Sequence, residues 1–457
     1  MLSDDVLYLS VRQLGERIRR RELSPVALAE SYLERSHRLG PRYNAYVTIT
    51  DDLALRQAHA AEREIAAGKY RGPLHGIPYA AKDLVAVAGY PTTWGARPYA
   101  KQVFDDNATV IERLNQAGAV LIGKAAMIEL AGGLGYESAN AALTGPCKNP
   151  WNPQYWTCGS SAGSAAIVAA AMAPWALGSD TRGSIICPSA WCGIAGMRPS
   201  FGRVSRHNAM ALAYTMDKLG PMARTADDCG LILSVIAAHD PNDHDSLPAH
   251  LAAFPYSASA AEGRLRVGRL TNVWNKMDPG LEQAVDDALK VMERAGAKIS
   301  DVQVPDGPYE EAAELTILME AASAFQDLIH SGRCAELDDP LGRINGYASQ
   351  QFTAPEYLQV QRVRLELQRR IDQLFDNFDV LTTAGESSAA SPLNAPPDDG
   401  TEEPLERRAP DGISSLCGLP ALTVPCGFSR DKLPFGIQFI GRALHDQAVI
   451  AAAHRFQ

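Results

Sequence analysis

The stretch LGSDTRGSIICPSAWCG, Leu177 to Gly193, decides the fold. A short apolar strand signal, PWALGSD, runs into a turn of small residues and straight back to an apolar run. The turn is Asp180, Thr181, Arg182, Gly183 and Ser184. Gly183 lets the backbone approach a ligand closely, and consecutive amides in such a turn converge into a nest for negative charge. A serine ending it combines a nucleophile with oxyanion donors. A strand-to-helix turn that merely needs small residues accounts for the same pattern.

Two other stretches share this chemistry. CGSSAGSAAIVAAA, from Cys158, puts Ser160 and Ser161 at the start of an Ala-rich helix, where a serine caps free amides. It also matches G-x-S-x-G, with Ser161 as the nucleophile of an α/β-hydrolase elbow. That motif needs a strand before it, and NPQYWTC is a poor one. IPYAAKDL sets Lys82 between apolar neighbours. Burial disfavours the charged form of a lysine, so it can act as a base near neutral pH. A surface lysine paired with Asp83 is the simpler alternative.

Outward from these stretches the chain alternates strands and helices. Ser24-Pro25 caps a helix that Gly40 stops, and TVIERLNQAG leads to a strand at Val120–Ile122. LRVGRL, LEQAVDDALKVMERAG and AKISDVQVP repeat strand, helix, strand, and FDVLTT and GIQFIGR add strands. This order predicts an α/β sheet covered by helices. One domain over 1–457 is expected, with a more variable insert of helices and loop at 257–412 near the pocket. Within it, the Pro- and acid-rich 387–412 reads as a flap or an unstructured loop.

The chain has 457 residues, 46% of them hydrophobic and 21% charged, with net charge −10. That balance argues against nucleic acid or an anionic membrane as partner; a small-molecule substrate is expected, and a homodimer is left open. Residues 149–179 carry no charge, yet Asn, Pro, Gly and Gln interrupt them, so no membrane span is expected. The eight cysteines show no CxxC spacing, which predicts no metal site and no zinc. With an acidic N-terminal stretch and no signal peptide, they are expected to be reduced thiols of a cytoplasmic protein.

Together the three stretches resemble the amidase signature family of Ser–Ser–Lys amide hydrolases. The Leu177–Gly193 stretch is similar to its signature turn, CGSSAGSAA to its serine-rich helix start, and PLHGIPYAAKD to its lysine segment. DKLGPMARTADD and CGLPALTVPCG match further segments, and the likeness extends to urethane-cleaving members. It runs from about Leu9 to His454 and is weakest between Ser257 and Arg370. The resemblance implies Lys82 as base, Ser160 as bridging serine after a cis Gly159–Ser160 peptide, and Ser184 as nucleophile. The amides of Thr181, Arg182, Gly183 and Ser184 would hold the oxyanion, with Gly159, Ser161 and Asp180 in support and no cofactor. The implied fold is an α/β one, a mixed central sheet with helices on both faces.

Three positions depart from the family pattern. Arg182 stands where the family has a small residue, and Cys158 replaces a glycine, which implies a stiffer loop. Ile186 replaces an arginine common in relatives, which favours a neutral substrate. Gly132, Gly133, Gly135 and Tyr136 fall where the family builds its acyl pocket, the glycines suggesting room. Tyr309, Leu318, Met319 and Phe325 read as core, with a pocket wall as the alternative. The expected activity is hydrolysis of neutral amides of the aryl amide or anilide type, extending to carbamates and esters. Three readings compete: the Ser161 esterase with His445 or His454 as base, an amidotransferase subunit that works with a partner, and a binding protein that kept the fold.

Overall fold

The computed structural model describes residues 2–136, 139, 141–258, 265–394 and 410–457. One eleven-stranded mixed sheet runs through them. In chain order its strands are β1 Tyr46–Ile49, β2 Pro78–Lys82, β3 Val120–Ala125, β4 Trp175–Asp180, β5 Ala195–Arg198 and β6 Lys218–Ala223. Then follow β7 Arg266–Leu270, β8 Lys298–Val302, β9 Val380–Ala384, β10 Ala421–Phe428 and β11 Pro434–Gly441. Across the sheet they lie in the order β1-β3-β2-β4-β6-β5-β10-β11-β9-β7-β8. Strands β3, β2 and β4 are parallel, as are β9, β7 and β8, and antiparallel pairs join the two groups.

The central strands read as uninterrupted apolar runs because both faces are covered: every residue of β2, β3, β4, β6 and β11 is buried. Tyr79 on β2 stacks on Trp175 on β4 with ring centroids 4.7 Å apart. The pairs Ala80–Ala176 and Ala81–Leu177 fix the register that carries Lys82 to the site. No helix among the described residues is long and apolar enough to cross a membrane.

Two helical expectations change. The helix capped by Ser24 runs Pro25–Tyr43, through Gly40 and Pro41, and ends at left-handed Asn44. Gly40 lies against the Tyr46 ring, where a Cβ would stand 3.2 Å from Cδ2, so its smallness serves packing rather than helix termination. The insert does not consist of helices and loop alone: beside Tyr309–Ala324, Gln326–His330, Asn345–Ser349 and Ala354–Leu374 it carries β7, β8 and β9. Of the expected flap, 395–409 lie outside the described residues. Ser391 and Pro392 before them pair with Trp156 and Tyr155, and Pro410–Leu416 after them is helical.

The helix Ala162–Ala169 begins where three backbones meet. Gly163 N donates to Ala126 O at 2.8 Å, and Ala126 N to Ala45 O at 2.9 Å. A Cβ on Gly163 would stand 2.3 Å from Ala45 O and 2.5 Å from Ala126 N, with only backbone to yield. Gly163→Ala is therefore expected to lower stability by about 1–3 kcal/mol, the usual penalty of overpacking, read as the shift of a denaturant unfolding curve.

Candidate active site

Lys82 ends β2 and is fully buried. Its Nζ donates to Ser160 Oγ at 2.7 Å, Ser179 Oγ at 2.9 Å and Ser161 Oγ at 3.0 Å. Gly178, one residue past the Ala81–Leu177 pair, leaves space for this cluster, since a Cβ there would lie 3.1 Å from Ser161 Oγ. Burial pulls the Lys82 amine down to about 7, against the opposing pull of the Asp180 and Asp217 charges. The neighbouring carboxylate, Asp83, is turned away: it pairs with Lys124 Nζ at 3.0 Å, both side chains wholly buried, and accepts from Thr93 N at 3.0 Å. The simple Lys82–Asp83 surface pair is thereby excluded.

The peptide Gly159–Ser160 is cis. Ser161 Oγ donates to Ser179 O at 3.1 Å and accepts from Ser179 N at 3.2 Å, so its proton and a lone pair are already engaged. Ser161 is also fully buried. No strand precedes it, and His445 and His454 lie exposed at the 446–456 helix. The hydrolase elbow has no support in this arrangement.

Asp180 organises the signature turn. Its Oδ1 accepts from Gly183 N at 2.9 Å and its Oδ2 from Ile185 N at 2.8 Å. Gly183 adopts a φ of +93°, and a Cβ there would meet Asp411 Oδ2 at 2.6 Å, so both backbone and space demand glycine. The Gly183 N–H is committed to Asp180 Oδ1, which takes it out of the expected oxyanion amides of Thr181, Arg182, Gly183 and Ser184. Ser161 N donates to Ser184 O at 3.3 Å, tying the two turns together. Thr181 Oγ1 donates to Asp217 Oδ1 at 2.6 Å.

Ser184 opens onto a cavity of about 600 Å³. Its walls include Gly132, Gly133, Gly135, Tyr136, Trp156, Trp191, Leu212, Ile317, Leu318 and Leu341, with Arg182, Glu314 and Glu386 as the charged lining. Arg182 reaches Glu314 at 2.9 Å and Glu310 at 3.6 Å on the 309–324 helix. The glycines line the cavity but leave little room. A Cβ would strike Tyr136 at 2.4 Å from Gly132, Leu212 and Phe325 at 3.0 Å from Gly133, and Asp339 at 2.3 Å from Gly135. Ile186 is no part of the cavity; it is fully buried in the core, which removes the inference drawn from it. Of the four insert residues only Leu318 reaches the cavity, while Tyr309 and Phe325 are core.

Cys158 and Cys187 form a disulfide in the cavity wall, overturning the expectation that every cysteine is reduced. Cys158 takes the left-handed φ of 63° that suits the glycine it replaces, and folding brings it within 6.0 Å (Cα–Cα) of Cys187. Chain spacing alone could not show this. The other six cysteines are free, and no His/Cys/Asp/Glu cluster among the described residues suits a metal.

Sequence reasoning missed Arg198, on β5, and Asp411. Arg198 Nη1 reaches Asp180 at 3.2 Å, Asp411 at 3.4 Å and Ser415 Oγ at 2.8 Å, entirely buried. Burial pushes Asp180 up, but the Arg198 and Lys218 charges and the turn amides outweigh it and hold the carboxyl below its ordinary range. Burial raises Asp411 to about 6 despite Arg198. The only sequence signal was an arginine in a strand-like segment, GMRPS, where a charge needs a partner.

Fold and sequence together define an enzyme of the amidase class. The chain belongs to the amidase signature family: the family description Amidase matches residues 27–450. It is similar to a glutamyl-tRNA(Gln) amidotransferase subunit of Carboxydothermus hydrogenoformans, 32% identical over 480 residues, covering 99% of this chain and 97% of the relative. The same subunit of Chloroflexus aggregans is 36% identical over 477 residues, covering 98% and 96%. The peptide amidase of Stenotrophomonas maltophilia superposes with a TM-score of 0.87 at 29% identity over 98% of this chain and 96% of that one. A bacterial aryl acylamidase gives 0.87 at 26% over 99% and 96%. Amidase-type cleavage of a carbon–nitrogen bond follows from family membership.

Replacing Arg198 by methionine leaves Asp180 and Asp411 buried together without their cation. Arg198→Met is expected to cost about 3–5 kcal/mol of stability, measured by chemical denaturation.

Proposed function

We propose that this chain hydrolyses neutral carboxamides through an acyl-enzyme on Ser184. The observation that carries the reading is Lys82: a buried amine 2.7 Å from Ser160 Oγ, with hydroxyls and no carboxylate as its hydrogen-bond partners among the described residues. Neutral Lys82 takes the Ser160 proton as Ser160 takes that of Ser184, whose Oγ bonds to the carbonyl carbon. Amides of Thr181, Arg182 and Ser184 receive the oxyanion; one such donor is worth about 3–4 kcal/mol. The C–N bond then breaks, with the proton returned through Ser160 to the leaving nitrogen. Water attacks the ester by the same relay, releasing the acid and restoring the Ser184 hydroxyl. Ser161 is a poorer relay because its proton is held by Ser179 O.

The cavity's chemistry favours a neutral substrate. Among the described residues Arg182 is its only cationic lining residue, and Glu310 and Glu314 already hold it, while Glu386 adds a further carboxylate. A substrate carboxylate finds repulsion there, and the tryptophans, Leu318 and Leu341 suit an apolar acyl or aryl group. Carbamates and esters fit the same acyl transfer. A second reading, an amidotransferase subunit drawing on glutamine with a partner, is favoured by the full-length likeness to proteins of that name.

Kinetics of the purified chain separate the two. Neutral anilides should be turned over with higher kcat/KM than their carboxylated counterparts or glutamine; turnover of glutamine alone, or only with added partner proteins, overturns the neutral-amide reading. Because the Lys82 amine titrates near 7, kcat/KM should rise about tenfold per pH unit below 7 and level off above it. Lys82→Arg, which stays charged, should lower kcat/KM by about 10²–10⁴-fold.

A further inference from the structure

We infer that Leu212 determines how large a substrate the site admits, by closing the substrate cavity against a second chamber. The inference rests on the acyl-transfer reading above. This chamber, of about 400 Å³, lies on the other side of a thin wall: Ala131, Thr181 and Leu212 border both spaces. It also touches Ser179, the hydroxyl that meets Lys82 Nζ at 2.9 Å, so it reaches the site from behind. Its lining includes Leu84, Met210 and Leu219, which suit an apolar extension of a substrate, beside the charged Arg206, Asp243 and Asp245.

Of the three shared residues only Leu212 presents a side chain that can be shortened without disturbing the signature turn. Ala131 has little to remove, and Thr181 holds Asp217. Leu212 is buried and lies against Gly133, whose Cβ would stand 3.0 Å from its Cγ. Its backbone is fixed independently, with Leu212 N donating to Asp217 Oδ2 at 2.8 Å, so trimming the side chain leaves the segment anchored. The two spaces, about 600 and about 400 Å³, then become continuous.

The test uses two fluorophosphonates that form a P–O bond to Ser184 and release fluoride, one with a methyl group and one with a biphenyl-propyl group. Rates of Ser184 labelling are read by mass spectrometry for the whole chain. In Leu212→Ala the ratio of extended to compact labelling should rise by about tenfold or more, the selectivity one accommodated methylene supplies. Leu212→Val, which keeps most of the packing, should give a smaller rise in the same direction. Adding Ala211→Trp, which fills the chamber rather than the site, should return the ratio of Leu212→Ala to that of the unaltered chain. An unchanged ratio in both single variants, or a rise that survives Ala211→Trp, overturns the inference alone. A Ser184 that neither probe labels in the unaltered chain overturns the acyl-transfer reading, and the inference with it.

Discussion

A lysine amine enclosed by hydroxyls, with no carboxylate bonded to it, is the constraint on which the rest of this site depends. Water would stabilise the cation, and a carboxylate would do so more strongly; either would leave no base. The fold excludes both by geometry. Strand β2 delivers Lys82 from a fully buried register, Gly178 vacates the facing position, and the cis turn brings Ser160 and Ser161 over the amine. The hydroxyls meet the hydrogen-bonding demand that burial creates without supplying charge.

The charges the site does need are gathered behind the signature turn. Asp180 spends its carboxylate oxygens on the amides of Gly183 and Ile185, and Arg198 balances it from β5. Asp411 completes the cluster from a helix far along the chain, with Gln438 Nε2 donating to its Oδ1 at 2.8 Å. The turn is thus held by its own Asp180 and by a low-dielectric ion network behind it, which explains how so short and small-residued a segment keeps one shape.

Much of this was legible in the chain. Strand β4 and the turn after it, Lys82 between apolar neighbours and the serines at a helix start follow from apolar runs, small residues and their order. The sheet covered by helices followed from alternation. What escaped were contacts between distant residues: Cys158 with Cys187, Arg198 with Asp411, and Asp83 with Lys124 rather than its neighbour Lys82. No local period or propensity encodes such pairings. Ile186 was misplaced because being two residues after the nucleophile says nothing about direction once a helix begins at that residue. Gly132, Gly133 and Gly135 do line the cavity, but the side chains of Tyr136, Leu212 and Asp339 packed against them were not legible from the glycines themselves.

The buried pair of Asp83 and Lys124 acts as electrostatic insulation. Sequence places a carboxylate directly beside the reactive amine, where it would hold the proton in place. By matching that carboxylate with a different amine drawn from β3, the protein turns it away from the site and gives two buried lysines on adjacent strands different partners, one a carboxylate and the other hydroxyls. Reactivity at one strand end is therefore decided partly by a side chain that touches no reacting atom.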